Sequence, residues 1–277
     1  SGGASNWGCG FLPTMYTGIP FRASGDPILY LSNPRGIDDA TQRASLDAIT
    51  RLNQRSLIES GDPEVAARIQ GYEMAAQLQQ SAPDLMDIGK ESKETLELYG
   101  VEPGKAGYAR NCLLARRLIE RGVRFVQLFH EAWDQHGNLS TQLAEQCRDT
   151  DQPAAALVKD LEQRGLLDDT IVLWMSEFGR TVFGQGDINA SSGYGRDHLG
   201  SVYSVWAAGG GFKKGLVYGK SDDFAYNVAE NPVHVHDLQA TLLNQFGIDH
   251  RQLTYRYQGR DFRLTDVYGT VIKDILS

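Results

Sequence analysis

The chain has no apolar run approaching the length of a membrane span, which takes about 20 residues. It has no excess of basic residues. Its formal net charge of -8 argues against non-specific binding of nucleic acid, which needs a basic surface. Cysteine is scarce and odd in number. Cys9, Cys112 and Cys147 lie too far apart for a metal-ligand spacing or a disulfide framework, and read as small core or surface residues. There is no internal repeat and no low-complexity tract. The first residue is Ser1, with no Met and no signal-like apolar segment behind it, so the chain is expected to be a piece of a longer product.

What remains is ordinary globular composition, 41% hydrophobic and 22% charged over 277 residues, enough for one large α/β domain. Residues 1–36 are rich in Gly, Pro, Ser and Asn and read as loops, with Pro27–Leu31 extended and Trp7, Phe11, Leu12 and Tyr16 as anchors. Residues 37–105 are polar and helical, and read as an insertion or cap. Asp38 or Asp39 caps the first helix, Asp62-Pro63-Glu64 opens a second, and residues 82–99 make a broken third. From Tyr108 an amphipathic helix runs to Gly122, with Cys112, Leu114, Leu118 and Ile119 inward. Val123–Phe129 then reads as a strand, and Pro153 as the first turn of a helix that Gly165 stops. Thr170–Ser176 is a continuous apolar and β-branched run, the pattern of a strand buried on both faces. Strand, loop, helix and strand make a right-handed parallel βαβ unit. A glycine-rich loop (182–196), a third strand (202–208) and a helix capped by Asp237 follow.

Polar clusters fall at the ends of these strands, where ligands gather in open α/β sheets. Asp134 and His136 are two apart, so their side chains share one face of an extended segment and are candidate ligands for a divalent metal. Glu177 and Arg180 follow the apolar run, Asp197 and His198 precede the third strand, and His234, His236 and Asp237 open the late helix. Each has a plainer alternative: a surface pair at Asp134 and His136, a structural ion pair at Glu177 and Arg180, a histidine bonded to its neighbour at Asp197 and His198, and helix capping at Asp237.

Several segments resemble a known group. LLDDTIVLWMSEFGR, GRDHLGSVYSVWAAGGG and VHVHDLQATLLNQFGID resemble metal-binding segments of the alkaline phosphatase and sulfatase superfamily. CLLARRLIERGVRFVQL, WDQHGNL, SEFGRT, GRDH and AGGGFKKGLVYGKSDD together resemble the bacterial sulfatase-like family called domain of unknown function 1501, from about Trp7 to the C-terminus.

The resemblance implies a single alkaline-phosphatase-like domain over residues 1–277, a three-layer α/β/α fold with a mostly parallel central sheet lacking its N-terminal part. It implies metal-dependent hydrolysis of a phosphate or sulfate ester, with an anionic small molecule or carbohydrate ester as substrate, and export to the periplasm or beyond. By position, Asp134, His136, Glu177, Asp197 and His198 are the implied ligands of zinc, calcium, manganese or magnesium. Glu177 and Arg180 are the implied catalytic residues, Arg180 holding an anionic oxygen through its fork of N–H donors. Phe178 departs from the superfamily pattern, which has His or Asn there. The sulfatase nucleophile signature Cys-x-Pro-x-Arg is also absent, since Cys9, Cys112 and Cys147 are followed by GFLP, LLAR and RDT. The nucleophile is therefore expected upstream of Trp7. The alternative reading is a non-catalytic relative that serves as a binding or scaffold protein.

Overall fold

Asp38 starts the first helix as the composition suggests. Its carboxylate accepts the Thr41 N–H at 2.8 Å, and Gly61 ends the helix in the left-handed region at φ 65°. The computed structural model describes residues 8, 18–21, 33–62, 65–66, 69, 71–73, 84–187, 189 and 193–277. Pro27–Leu31, the anchors Trp7, Phe11, Leu12 and Tyr16, Cys9, and most of the helix expected after Asp62 lie outside these residues.

Helix α1 (Asp39–Ser60) buries none of its residues. The core lies further on, between α2 (Lys93–Tyr99), α3 (Tyr108–Glu120) and α4 (Leu139–Gln163). Ile88, Tyr99, Val101, Cys112, Leu113, Leu114 and Ala156 form one buried cluster, with Leu96, Leu128 and Leu157 against it. Two arginines lie inside as well. Arg116, 2% exposed, meets Glu91 and Glu120 at 2.6 Å each and Asp160 at 3.0 Å. Arg117 pairs with Glu91 and donates to the Leu85 and Asp84 carbonyls. Burial drives Glu91 upward, but hydrogen bonds from Arg116 and Arg117 outweigh it and hold the carboxyl below its ordinary value. Each buried charge here has a partner, as desolvation demands.

Pro153 does not begin a helix; it lies inside α4 and is buried. An interior proline costs roughly 3 kcal/mol. The packing of α4 against α2 and α3, with Thr150, Ala156, Asp160 and Leu161 buried, outweighs that local preference.

The expected three-layer α/β/α fold with a mostly parallel central sheet is overturned. Among the described residues every ladder is antiparallel and two-stranded, so the alkaline-phosphatase-like fold is not supported. Val123–Phe129 forms no strand, and its Phe125 is 76% exposed and Phe129 55%. The apolar run supplies only β1 (Val172–Trp174), which pairs antiparallel with β4 (Trp206–Ala208). Between them β2 (Gly179–Arg180) pairs with β3 (His198–Leu199). The partners Val172↔Ala208, Trp174↔Trp206, Gly179↔Leu199, Arg180↔His198 and Gln185↔Gly195 follow nearly one register. These are stretches of one antiparallel pairing between residues 172–185 and 195–208. A pairing of this kind closes a short loop, whereas a parallel pair needs a crossover, and an apolar run is compatible with either.

Downstream, β5 (Lys220–Ser221) pairs with β6 (Val228–Glu230), and Leu216–Tyr218 forms no strand. Helix α5 is Val235–Gln245. Its N-cap is His234 rather than Asp237, whose carboxylate instead reaches back to the His234 N–H at 3.1 Å in a capping box. A hairpin of β7 (Thr254–Tyr257) and β8 (Arg260–Arg263) follows, turning through Gln258 (φ 47°) and Gly259 (φ 81°).

Candidate metal centre

The long hairpin makes half of the site. Arg180 and His198 are direct cross-strand partners, so their side chains leave the same face of the β2–β3 ladder. The other half is the loop after Phe129. Ala132 (φ 70°) and Asn138 (φ 50°), both left-handed, bracket it. Within it the His136 N–H donates to the Asp134 carbonyl at 3.1 Å. Asp134 and His136 thus come together through a three-residue turn, not through an extended segment. The buried Gln135 at its centre donates to the Ala132 carbonyl at 2.7 Å.

Two features dock loop on hairpin. The Arg196 N–H donates to the Gln135 carbonyl at 3.0 Å. Gly195 is buried directly beneath His136, and a Cβ there would collide with the His136 carbonyl carbon and the Gln135 oxygen. Arg180 completes the joint, donating to the Trp133 carbonyl at 3.0 Å and to Asp134 Oδ1 at 2.6 Å.

The result is a triangle of donor atoms. Asp134 Oδ1 is 2.9 Å from His198 Nε2 and 2.9 Å from His136 Nε2, and the two Nε2 atoms are 3.1 Å apart. Donors held tetrahedrally about 2.0–2.1 Å from a zinc ion sit roughly 3.3 Å from one another, so little movement separates this triangle from a coordination set. The tautomer suits that role. His136 Nδ1 lies 2.5 Å from Gln185 Oε1. An amide oxygen only accepts, so Nδ1 carries the hydrogen and Nε2 presents a lone pair. Hydrogen bonds from His198 and Arg180 bring the Asp134 carboxyl down to about 2, so it stays ionised. The residues present therefore fit a divalent metal.

Of the five ligands expected from sequence, Asp134, His136 and His198 meet here. Glu177 and Asp197 do not join them. Glu177 is exposed and accepts from the Ser176 hydroxyl at 2.9 Å. The Asp197 carboxylate accepts the His198 N–H at 2.8 Å, which steadies the strand that carries His198. Phe178 stacks on the His198 ring, centroids 4.4 Å apart, and fills space beside the triangle with carbon. Gln185 and Gly195 were not expected from sequence. Both sit in a segment whose composition reads as loop, and only the Gln185↔Gly195 bridge brings them to His136.

The family model described as protein of unknown function (DUF1501) matches residues 1–276. The chain belongs to this family. No curated protein and no solved structure matches this DUF1501 chain. For the DUF1501 chain the chemistry must therefore be argued from the donor triangle and its supports.

Proposed function

We propose that this DUF1501 protein is a metal-dependent hydrolase of phosphate or sulfate esters, sulfatase-like in its chemistry, with Asp134, His136 and His198 holding one divalent cation. The convergence of three donor atoms, each about 3 Å from the others, is the observation that supports this reading. Two imidazoles and a carboxylate favour zinc or manganese over calcium and magnesium, which prefer all-oxygen shells. Bound there, the cation supplies Lewis-acid stabilisation of the charge that develops on the ester and activates water. The chain's own residues do the rest. Gln185 holds His136 in the ligating tautomer. Arg180 fixes Asp134 and puts a permanent positive charge where an anionic ester approaches. Glu177 and Asp197, outside the triangle, have no ligand role in this proposal.

A second reading has one observation behind it. Phe178 against His198 leaves, among the described residues, a single three-donor site, which suits a binding or scaffold protein that keeps its metal for structure. Metal analysis of protein purified without chelator separates the readings when combined with assays on 4-nitrophenyl phosphate and 4-nitrophenyl sulfate. The hydrolase reading expects one zinc or manganese per chain and metal-dependent turnover that His198→Ala abolishes. Metal without turnover leaves the scaffold reading. Absence of bound metal, with no thermal stabilisation by zinc, manganese, calcium or magnesium, sinks both; a ligand at 100 times its Kd should add about 2.7 kcal/mol.

A further inference from the structure

Between α4 and the β1–β4 ribbon lies a cavity of about 740 Å³, within the range of small-molecule sites. Its two long walls differ. The helical wall presents the small apolar side chains of Ala154, Ala155 and Val158 together with Cys147, Thr150, Asp151, Lys159 and Glu162. The facing wall is aromatic: Trp174 and Trp206 are cross-strand partners, so both indoles leave the same face of the ribbon. Trp133 closes one end, its ring at 85° to that of Trp174 with centroids 6.3 Å apart. A wall of small residues facing a wall of rings makes a slot, and a slot suits a flat guest.

Two of the uncharged polar groups at the slot are already engaged. The Trp133 indole N–H donates to His130 Nδ1 at 2.9 Å, and the Thr150 hydroxyl donates to the Gln146 carbonyl at 2.9 Å. The walls therefore offer methyl groups and π faces, which water fills poorly. Charge narrows the guest further. The charged lining residues are Asp151, Glu162 and Lys159, two acids and one base, and indole faces are electron-rich. Anionic rings are disfavoured; neutral or cationic ones are not.

We propose that this cavity binds a flat, neutral or cationic aromatic ring system of two or three fused rings, at a site separate from the Asp134–His136–His198 triangle. The proposal does not depend on metal binding. It is tested by saturation-transfer NMR with indole, adenine and naphthalene-2-sulfonate against the wild type, Ala154→Trp, Trp206→Ala and His198→Ala. Indole and adenine should bind with a Kd on the order of 10⁻⁴ to 10⁻³ M, and the sulfonate at least about tenfold more weakly. Filling the slot in Ala154→Trp and removing one wall in Trp206→Ala should each weaken indole about tenfold or more, while His198→Ala leaves it unchanged. Circular dichroism verifies that the variants fold. No transfer to indole or adenine in the wild type overturns the proposal. So does undiminished binding in folded Ala154→Trp and Trp206→Ala, or sulfonate binding as tight as that of indole.

Discussion

The protein gathers charged side chains in two places and treats them in opposite ways. In the helical core, buried Arg116, Arg117 and Asp160 and the partly buried Glu91 form a net with Glu120 and Arg164 at its exposed edge, cations and anions alternating. At the hairpin, Asp134, His136 and His198 lie exposed and bring three donor atoms together. In the first arrangement each charge faces an opposite one. The second is held together by Arg180, Gln185 and Gly195. Burial thus marks the structural charges here, and the convergence of exposed donor atoms marks the candidate site.

Breaking the core net should have the largest effect on folding. Arg116→Ala leaves Glu91, Glu120 and Asp160 facing a buried gap, and urea unfolding should report a loss of about 3–5 kcal/mol. The matching change at the hairpin, Asp134→Ala, should leave the urea midpoint close to wild type while abolishing metal uptake. If the two variants unfold alike, the contrast between the regions is wrong.

Gly195→Ala sharpens the comparison from the backbone side. Its methyl group has no room beneath His136, so the loop must shift and the triangle open. Zinc affinity by competition titration should fall about 10²-fold or more, with the helical core intact by circular dichroism. Gln185→Ala removes only the partner of His136 Nδ1, and the same titration should show a loss of about 10- to 100-fold.

The smallest effect is one of acidity. The Asp134 carboxyl is lowered in the folded protein, to about 2 from 3.8. Its stabilising hydrogen bonds are therefore fully present above the ordinary value and are lost as pH falls through about 2. A carboxyl carbon NMR titration should place the Asp134 midpoint near the lower figure, and Arg180→Gln should move it upward.

Much of the candidate site was legible in the chain because its chemistry is local. Asp134-x-His136, Arg180 and His198 stand out as polar residues beside apolar runs. Glu177 and Asp197 stand out in the same way but do not join the triangle. Side-chain type marks a candidate, and only direction in space selects among candidates. Gln185 was illegible for the converse reason. An amide in a glycine-rich stretch carries no signal until the bridge Gln185↔Gly195 brings it to the Nδ1 edge of a histidine ring.

The fold divides along the same line. The sequence by itself determined the helices at Asp39–Ser60 and Tyr108–Glu120, the Asp38 cap of the first, the glycine stop after the second, and the places where polar residues interrupt apolar runs, since these depend on neighbours a few residues away. Family membership, too, is carried by the ordered motifs of the chain. Tertiary structure alone decided that Pro153 sits inside α4, that Arg116 is buried, and that residues 172–208 fold back as an antiparallel hairpin instead of entering a parallel sheet. An apolar run specifies that a strand must be covered. It does not specify by which partner or in which direction, because hydrophobic burial has no direction and the ladder does.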